Sequence, residues 1–272
     1  MAPSFRDSSG REGERTRYLF AALKNQLDPL ETVSLILNVR QALRPQDKRV
    51  VGLCPSAASL AWAGAVRDGL VMVAQNCGWR APYALTGELT VDDLKVFSID
   101  FCLVGHSERR LHLGETEAII AQRLAALLRG GVKPVLCVGE TLAQKRDGQG
   151  LAAIQVQLKS LQRAFQTSQV TCDPARVIIA YEPMWAISTA HSPQIAQPQY
   201  VNTVHASIRA MLDNLFAAGF GASTSLLYGG GVDAQTAKSF FDAPEVDGAL
   251  VGAAMHTPLG FLDLLNRFQN PA

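Results

Sequence analysis

Two kinds of hydrophobic pattern alternate along the chain. Short, continuously apolar runs fall at 18–23, 50–53, 71–75, 101–105, 134–138, 177–181, 225–228 and 249–252. Runs of that length and type are the pattern of strands covered on both faces. Between them lie segments at 30–43, 57–66, 91–98, 115–129, 151–165, 200–216, 234–241 and 259–268 in which apolar residues return at helical spacing. In 115–129, for example, Ile119, Ile120, Leu124, Leu127 and Leu128 share one face, the stripe of a helix packed on a core. Asp92 and Asp233 stand near helix starts, where a short acceptor caps free N–H groups. Gly130-Gly131 is placed to end the helix before it in a left-handed cap.

Regular alternation of strand and helix predicts parallel strands with crossover helices. Eight of each, with no linker or low-complexity break, fit a single closed (β/α)8 barrel over residues 18–272. An open doubly wound sheet is the rival. It would carry a glycine fingerprint after the first strand, but that strand runs out in Ala21-Ala22-Leu23-Lys24.

Composition narrows the function classes. The 272 residues are 48% hydrophobic, enough for a large core, and carry a net charge of only +1. With 7% aromatics and no basic-aromatic interleaving, nothing favours a nucleic-acid partner. No apolar run approaches the roughly 18 residues needed to span a bilayer, so no membrane partner is expected. Cys54, Cys77, Cys102, Cys137 and Cys172 are far apart and form no C-x-x-C pair. They read as reduced thiols of a cytoplasmic protein. The other histidines, His112, His191, His205 and His256, have no metal-ligand spacing. Residues 1–17 are polar, mix arginines with acids, and read as a loose tail.

In a parallel barrel, chemistry sits where strands end. The first strand delivers Lys24 and the fourth Gly105-His106-Ser107-Glu108-Arg109-Arg110. The sixth delivers Tyr181-Glu182-Pro183-Met184-Trp185, the seventh Tyr228-Gly229-Gly230-Gly231 and the eighth Gly252-Ala253-Ala254. Each has a bland reading: a solvated lysine, a helix-capping histidine, a surface acid, plain turns. Their joint position at strand ends makes Glu182 and His106 the leading catalytic candidates.

These motifs, with Ala74-Gln75-Asn76-Cys77, Leu85-Thr86-Gly87-Glu88, Leu136-Cys137-Val138-Gly139-Glu140 and Asp247-Gly248-Ala249-Leu250-Val251-Gly252, resemble the triosephosphate isomerase family from about residue 18 to the end. The resemblance implies an aldose-ketose isomerase of glycolysis and gluconeogenesis. Such an enzyme interconverts dihydroxyacetone phosphate and D-glyceraldehyde 3-phosphate through an enediolate, with no metal or organic cofactor. It implies Glu182 as the carboxylate that moves the proton and His106 as a neutral imidazole, a tuning already established for this family. Lys24 would supply a positive charge, and Glu108 would orient Lys24 or shuttle a proton. For Glu108, a salt bridge to an arginine of its own motif is an equal alternative. Backbone donors at Ser188, Gly231, Gly252 and Ala253 would hold the phosphate, and residues 183 to about 193 would form a closing lid. Trp185 would pack beneath it, against Tyr181 and Glu140. The 78–88 loop, with Thr86, has the family's length and implies a homodimer.

Departures cluster at the same place. The family carries asparagine where Ala22 stands, and methionine-asparagine where Asn25-Gln26 stand. It carries glycine at Ser188, Ala190 and Ala253, lysine at His191, and serine at Gly231. Three readings follow: the family reaction at a lower rate, a shift to a four-carbon ketose phosphate, or a paralogue that binds a sugar phosphate without turnover.

Overall fold

The computed structural model describes residues 15–44, 46, 48–79, 86–187, 196–252 and 258–270. Eight parallel strands close in sequence order into a barrel. The chain runs β1 (Arg17–Ala22), α1 (Pro29–Ala42), β2 (Arg49–Cys54), α2 (Leu60–Val66), β3 (Val71–Ala74), α3 (Val91–Val96), β4 (Phe101–Val104), α4 (Ser107–His112), α5 (Glu117–Gly130) and β5 (Lys133–Val138). It continues through α6 (Leu142–Arg146), α7 (Gly150–Ser168), β6 (Ile178–Tyr181), α8 (Pro198–Leu215), α9 (Phe220–Ser223), β7 (Ser225–Tyr228), α10 (Ala237–Phe241), β8 (Gly248–Val251) and α11 (Pro258–Gln269). β1 pairs with β2 on one side and with β8 on the other, and this seals the cylinder. Every expected strand is present, with its ends within a residue of the expected ones.

Strand side chains divide by parity, as a pleated backbone dictates. Phe20 and Ala22 of β1, Val73 of β3, Leu103 of β4, Cys137 of β5, Ala180 of β6, Leu227 of β7 and Leu250 of β8 fill the barrel. Their neighbours Leu19, Ala21, Met72, Cys102, Leu136, Ile179 and Ala249 face the helices. Tyr18, Phe20 and Phe101 meet ring to ring inside the barrel, with centroids 5.3 to 6.0 Å apart. Continued two residues, the inward parity reaches Lys24, Gln75, Gly105, Gly139, Glu182, Gly229 and Gly252. The alternation that packs the core therefore also sets the residues of the mouth.

Helix ends follow local chemistry, with one correction. Thr90, not Asp92, caps α3: its hydroxyl accepts from Asp93 N–H, and the Asp93 carboxylate accepts from Thr90 N–H. Asp92 lies inside the first turn. Asp233 accepts from the N–H groups of Gln235 and Thr236 in the turn before α10, and Gly131 (φ +77°) closes α5. Asp28, just before α1, and Glu31, in its first turn, form a further capping box. α4, α6 and α9, at four to six residues each, are too short to show as periodic stripes in the sequence. Among the described residues, no helix is long and apolar enough to cross a membrane.

Buried charge is compensated. The Arg209 guanidinium reaches Glu245 (2.6 Å), Asp247 (2.7 Å) and the carbonyls of Gly221 and Thr224 (2.6 and 2.7 Å), tying α8 to the segments before β7 and β8. Arg15 pairs with the other oxygen of Asp247 at 2.6 Å. His205 of α8 is fully buried and donates from Nδ1 to the Glu245 carbonyl at 3.0 Å. Desolvation pushes its pKa down to about 4; the Glu245 carbonyl opposes the shift, and Arg209 adds to it. An unfolded chain therefore takes up this proton near pH 6.5, and the folded chain only near 4. His205 thus contributes stability in full above about pH 6.5, and loses on the order of 3 kcal/mol of it as pH falls towards 4. Denaturant titrations at neutral and acidic pH should show a smaller acid loss for His205→Gln than for wild type; equal losses would contradict this assignment.

Candidate active site

A cleft at the carboxyl ends of the strands is lined by Ala22, Lys24, His106, Glu182, Ile187, Gly229, Gly230, Gly231, Leu250 and Gly252. Lys24 follows β1 in a turn closed by Gln26 N–H to the Leu23 carbonyl, 3.2 Å. Its backbone is left-handed, with φ +51°. Its ammonium reaches Glu108 Oε1 at 2.5 Å. Arg109 instead pairs with Glu115 at 2.7 Å, and Arg110 with Glu117 and the Gly105 carbonyl. Of the two readings of Glu108, the geometry takes the lysine partner.

His106 leaves β4 through Gly105 and caps α4, its Nδ1 accepting the Glu108 N–H at 3.3 Å. A nitrogen that accepts an N–H carries a lone pair, so the hydrogen-bond network assigns the proton to Nε2 and leaves the ring neutral. Nε2 lies 3.4 Å from Glu182 Oε1. The capping and chemical readings of this histidine are thus compatible: the cap fixes the tautomer that points a donor into the cleft.

Glu182 follows β6 and extends its ladder by one bond, N–H to the Val138 carbonyl at 2.7 Å. Only 3% of it is exposed. Its Oε2 accepts from Ser107 N–H at 3.1 Å, a partner that a buried carboxylate requires. The Cys137 thiol lies beside it, held well above its usual pKa by burial and by the Glu182 charge. Two glycines make room for this residue. A Cβ at Gly139 would overlap the Glu182 carbonyl oxygen, and one at Gly229 would stand 2.5 Å from Glu182 Cγ.

The residues after Glu182 are clamped. Glu140 Oε1 accepts from Trp185 Nε1 (2.8 Å), Tyr181 Oη (2.9 Å) and Tyr200 Oη (3.2 Å). Burial and the Glu140 charge raise both phenols, so they remain donors. The Lys145 ammonium sits over the Trp185 ring, 3.2 Å from its centre. Met184 N–H bonds the Glu140 carbonyl at 3.0 Å, and Gly231 N–H bonds the Ala186 carbonyl at 3.3 Å. Trp185 meets Glu140 as expected, but its ring partner is Tyr200, 5.7 Å between centroids, and Tyr181 joins it only through the shared Glu140 oxygen.

Lys24, His106, Glu108, Glu182, Gly231 and Gly252 are therefore brought together, while Ser188, Ala190, His191 and Ala253 lie outside the described residues. Sequence reasoning passed over Gln75, Cys137 and Leu250 as contributors to this region. The inward parity of β3, β5 and β8 was the signal that could have found them. Chemically, the cleft holds a carboxylate, a neutral N–H donor and an ammonium around one small space. That set suits taking a proton from carbon while stabilising charge on an adjacent oxygen.

The sequence model of the family described as triosephosphate isomerase matches residues 17–268. The chain is 33% identical over 240 residues to the triosephosphate isomerase of Solibacter usitatus, covering 88% of this chain and 94% of that one. It is 38% identical over 218 residues to the enzyme of Zygosaccharomyces bailii (79% and 84% covered). It is 33% identical over 239 residues to the cytosolic triosephosphate isomerase of Oryza sativa subsp. japonica (88% and 90%).

This chain belongs to the triosephosphate isomerase family.

Within that family its departures now have places. Ala22 forms part of the cleft wall, and Gly231 lines the cleft with its amide engaged by Ala186. Gly229→Ala tests how tightly the carboxylate is placed. Its methyl group displaces the Glu182 side chain, and kcat/KM should fall by about 10²-fold, the cost of roughly 1 Å of misplacement. Unchanged kinetics would mean that the Glu182 position does not matter.

Proposed function

We propose that the chain interconverts dihydroxyacetone phosphate and D-glyceraldehyde 3-phosphate, with Glu182 as the base. The observation that carries this is the convergence of Glu182 Oε1 and the His106 donor nitrogen at 3.4 Å, beside the Lys24–Glu108 pair. Bound between them, the ketose loses a C1 proton to Glu182, and the electron pair moves onto the C2 oxygen. His106 Nε2–H polarises both oxygens and passes a proton between them. Lys24 opposes the developing negative charge, and Glu108 orients Lys24. Glu182 then returns the proton to C2, giving the aldose. No metal or organic cofactor is required by this sequence of steps.

The phosphate is assigned to backbone N–H groups at Gly231 and Gly252, joined by Ser188 and Ala253. For Gly231, capture means exchanging its 3.3 Å bond to Ala186 for a phosphate oxygen. Since Ala186 belongs to the clamped segment after Glu182, phosphate binding and release of that segment are coupled. The working form is assigned as a homodimer through the 78–88 loop. In support, Glu88 at the root of the loop is held by Arg123 at 3.0 Å, and the Arg123 guanidinium sits 4.6 Å over the Trp79 ring. Leu111 and Leu113, after the His106 motif, are 55% and 64% exposed, apolar area suited to a second copy. A cytoplasmic location agrees with free thiols at all five cysteines.

A second reading keeps the mechanism and changes the substrate. Ala22 puts a methyl group in the cleft wall where the family has a longer polar side chain, which leaves room for a four-carbon ketose phosphate. One experiment tests both readings: steady-state kcat/KM for glyceraldehyde 3-phosphate and for four-carbon ketose phosphates, with Glu182→Ala as blank. The three-carbon substrate should give the highest value, and Glu182→Ala should lower it by at least about 10³-fold. A four-carbon preference would establish the second reading. Equality with the blank on every substrate would leave a sugar-phosphate binder.

A further inference from the structure

Gln75 stands at the inward position just past β3, and the reaction as derived gives it no part. We propose that Gln75 is a positioning residue that holds the Lys24 backbone in its left-handed conformation, and so aims the ammonium group at the cleft. The inference rests on the reading of Lys24 as the cation of the reaction.

Lys24 occupies the first central position of the turn closed by Gln26 N–H to the Leu23 carbonyl, with φ +51°. That is the position of a type II′ turn which glycine ordinarily fills. A lysine stays there only if its surroundings over-determine it. Gln75 supplies that constraint. Its Nε2 donates to the Lys24 carbonyl at 2.6 Å and to the Cys54 carbonyl at 2.9 Å. Both amide hydrogens are used, one on the turn after β1 and one on the end of β2. Leu23 N–H to the same Cys54 carbonyl, 3.1 Å, completes the tie.

The lysine is thus held at two points from two elements. Gln75 fixes its backbone, and Glu108 of α4 fixes its ammonium at 2.5 Å. Without the amide, the Lys24 carbonyl loses its partner, the turn relaxes towards negative φ, and the stem leaves the cleft. The next residue, Asn76, donates to Glu88 Oε2 at 3.1 Å, and Gly78 N–H bonds the Leu89 carbonyl at 2.7 Å. The residue that sets Lys24 therefore stands at the root of the 78–88 segment. A disturbance of that segment has a short path to the cation, along the chain to Gln75 and through its hydrogen bond to the Lys24 carbonyl.

The test is a double-mutant cycle on kcat/KM for glyceraldehyde 3-phosphate with Lys24→Ala and Gln75→Leu, beside circular dichroism and thermal melts. Gln75→Leu should lose about ten- to hundredfold, mainly in kcat, with the barrel still folded. In the Lys24→Ala background the same change should cost less than about twofold, because the two residues act through one group. Gln75→Glu has the same shape and, as a carboxylate, no hydrogen to donate. It should show the same loss, and it carries the test if leucine prevents folding. Equal losses in both backgrounds would overturn the inference, as would wild-type kinetics for the Gln75 variants. Wild-type activity in Lys24→Ala would remove the reading of Lys24 and this inference together. A crippled Lys24→Ala beside unaffected Gln75 variants would overturn the inference alone.

Discussion

A carboxylate buried to 3% exposure, with one backbone N–H to receive its charge, is the constraint on which the site turns. Such a group is tolerated only where donors are fixed in advance. Here the donor is Ser107 N–H, presented by the start of α4, whose cap is His106. The same turn therefore anchors Glu182, fixes the histidine tautomer and delivers Glu108 to Lys24. The rest of the rim serves this arrangement. Gly139 and Gly229 leave space for the Glu182 backbone and stem. The Glu140 carboxylate gathers Tyr181, Trp185 and Tyr200 and so holds the chain just beyond it.

The barrel makes such a meeting possible because its geometry is repetitive. Strand parity that sends Phe20, Ala180 and Leu227 inward sends Lys24, Glu182 and Gly229 to the mouth two residues later. Positions that need bulk carry side chains, and those that need room carry glycine. Ala22 interrupts this economy by placing a small apolar group where the family has an amide. The Gly231 amide, engaged by Ala186, connects the β7 end of the cleft to the segment that carries Glu182.

Much of this was legible in the chain. Continuous apolar runs marked the eight strands to within a residue, because strands covered on both faces show no polar interruption. Lys24, His106, Glu108 and Glu182 stood out as polar residues at the ends of such runs. The pairing of Glu108 with Lys24 rather than with Arg109 or Arg110 was not legible. It depends on rotamers at a helix start and on Glu115 and Glu117 taking the arginines. The cap of α3 was misplaced because Thr90 and Asp92 are both good acceptors, and only the return bond from Asp93 separates them. α4 and α6 were too short for periodicity to register. Gln75 passed as one letter of a motif because its value lies in two carbonyls that meet it only once β1, β2 and β3 are side by side.

The central claim is that Glu182 moves a proton between adjacent carbons of a triose phosphate, through an enediolate that His106 and Lys24 stabilise. A carboxylic acid formed on the enzyme exchanges its hydrogen with water, whereas a hydride shift does not. The most direct measurement is proton NMR of dihydroxyacetone phosphate turned over in deuterium oxide, with wild type and with Glu182→Ala. The account predicts deuterium entering the product at the transferred carbon position in step with isomerisation, and neither process above background in the variant. Isomerisation with the original hydrogen fully retained, or exchange undiminished without Glu182, would contradict it.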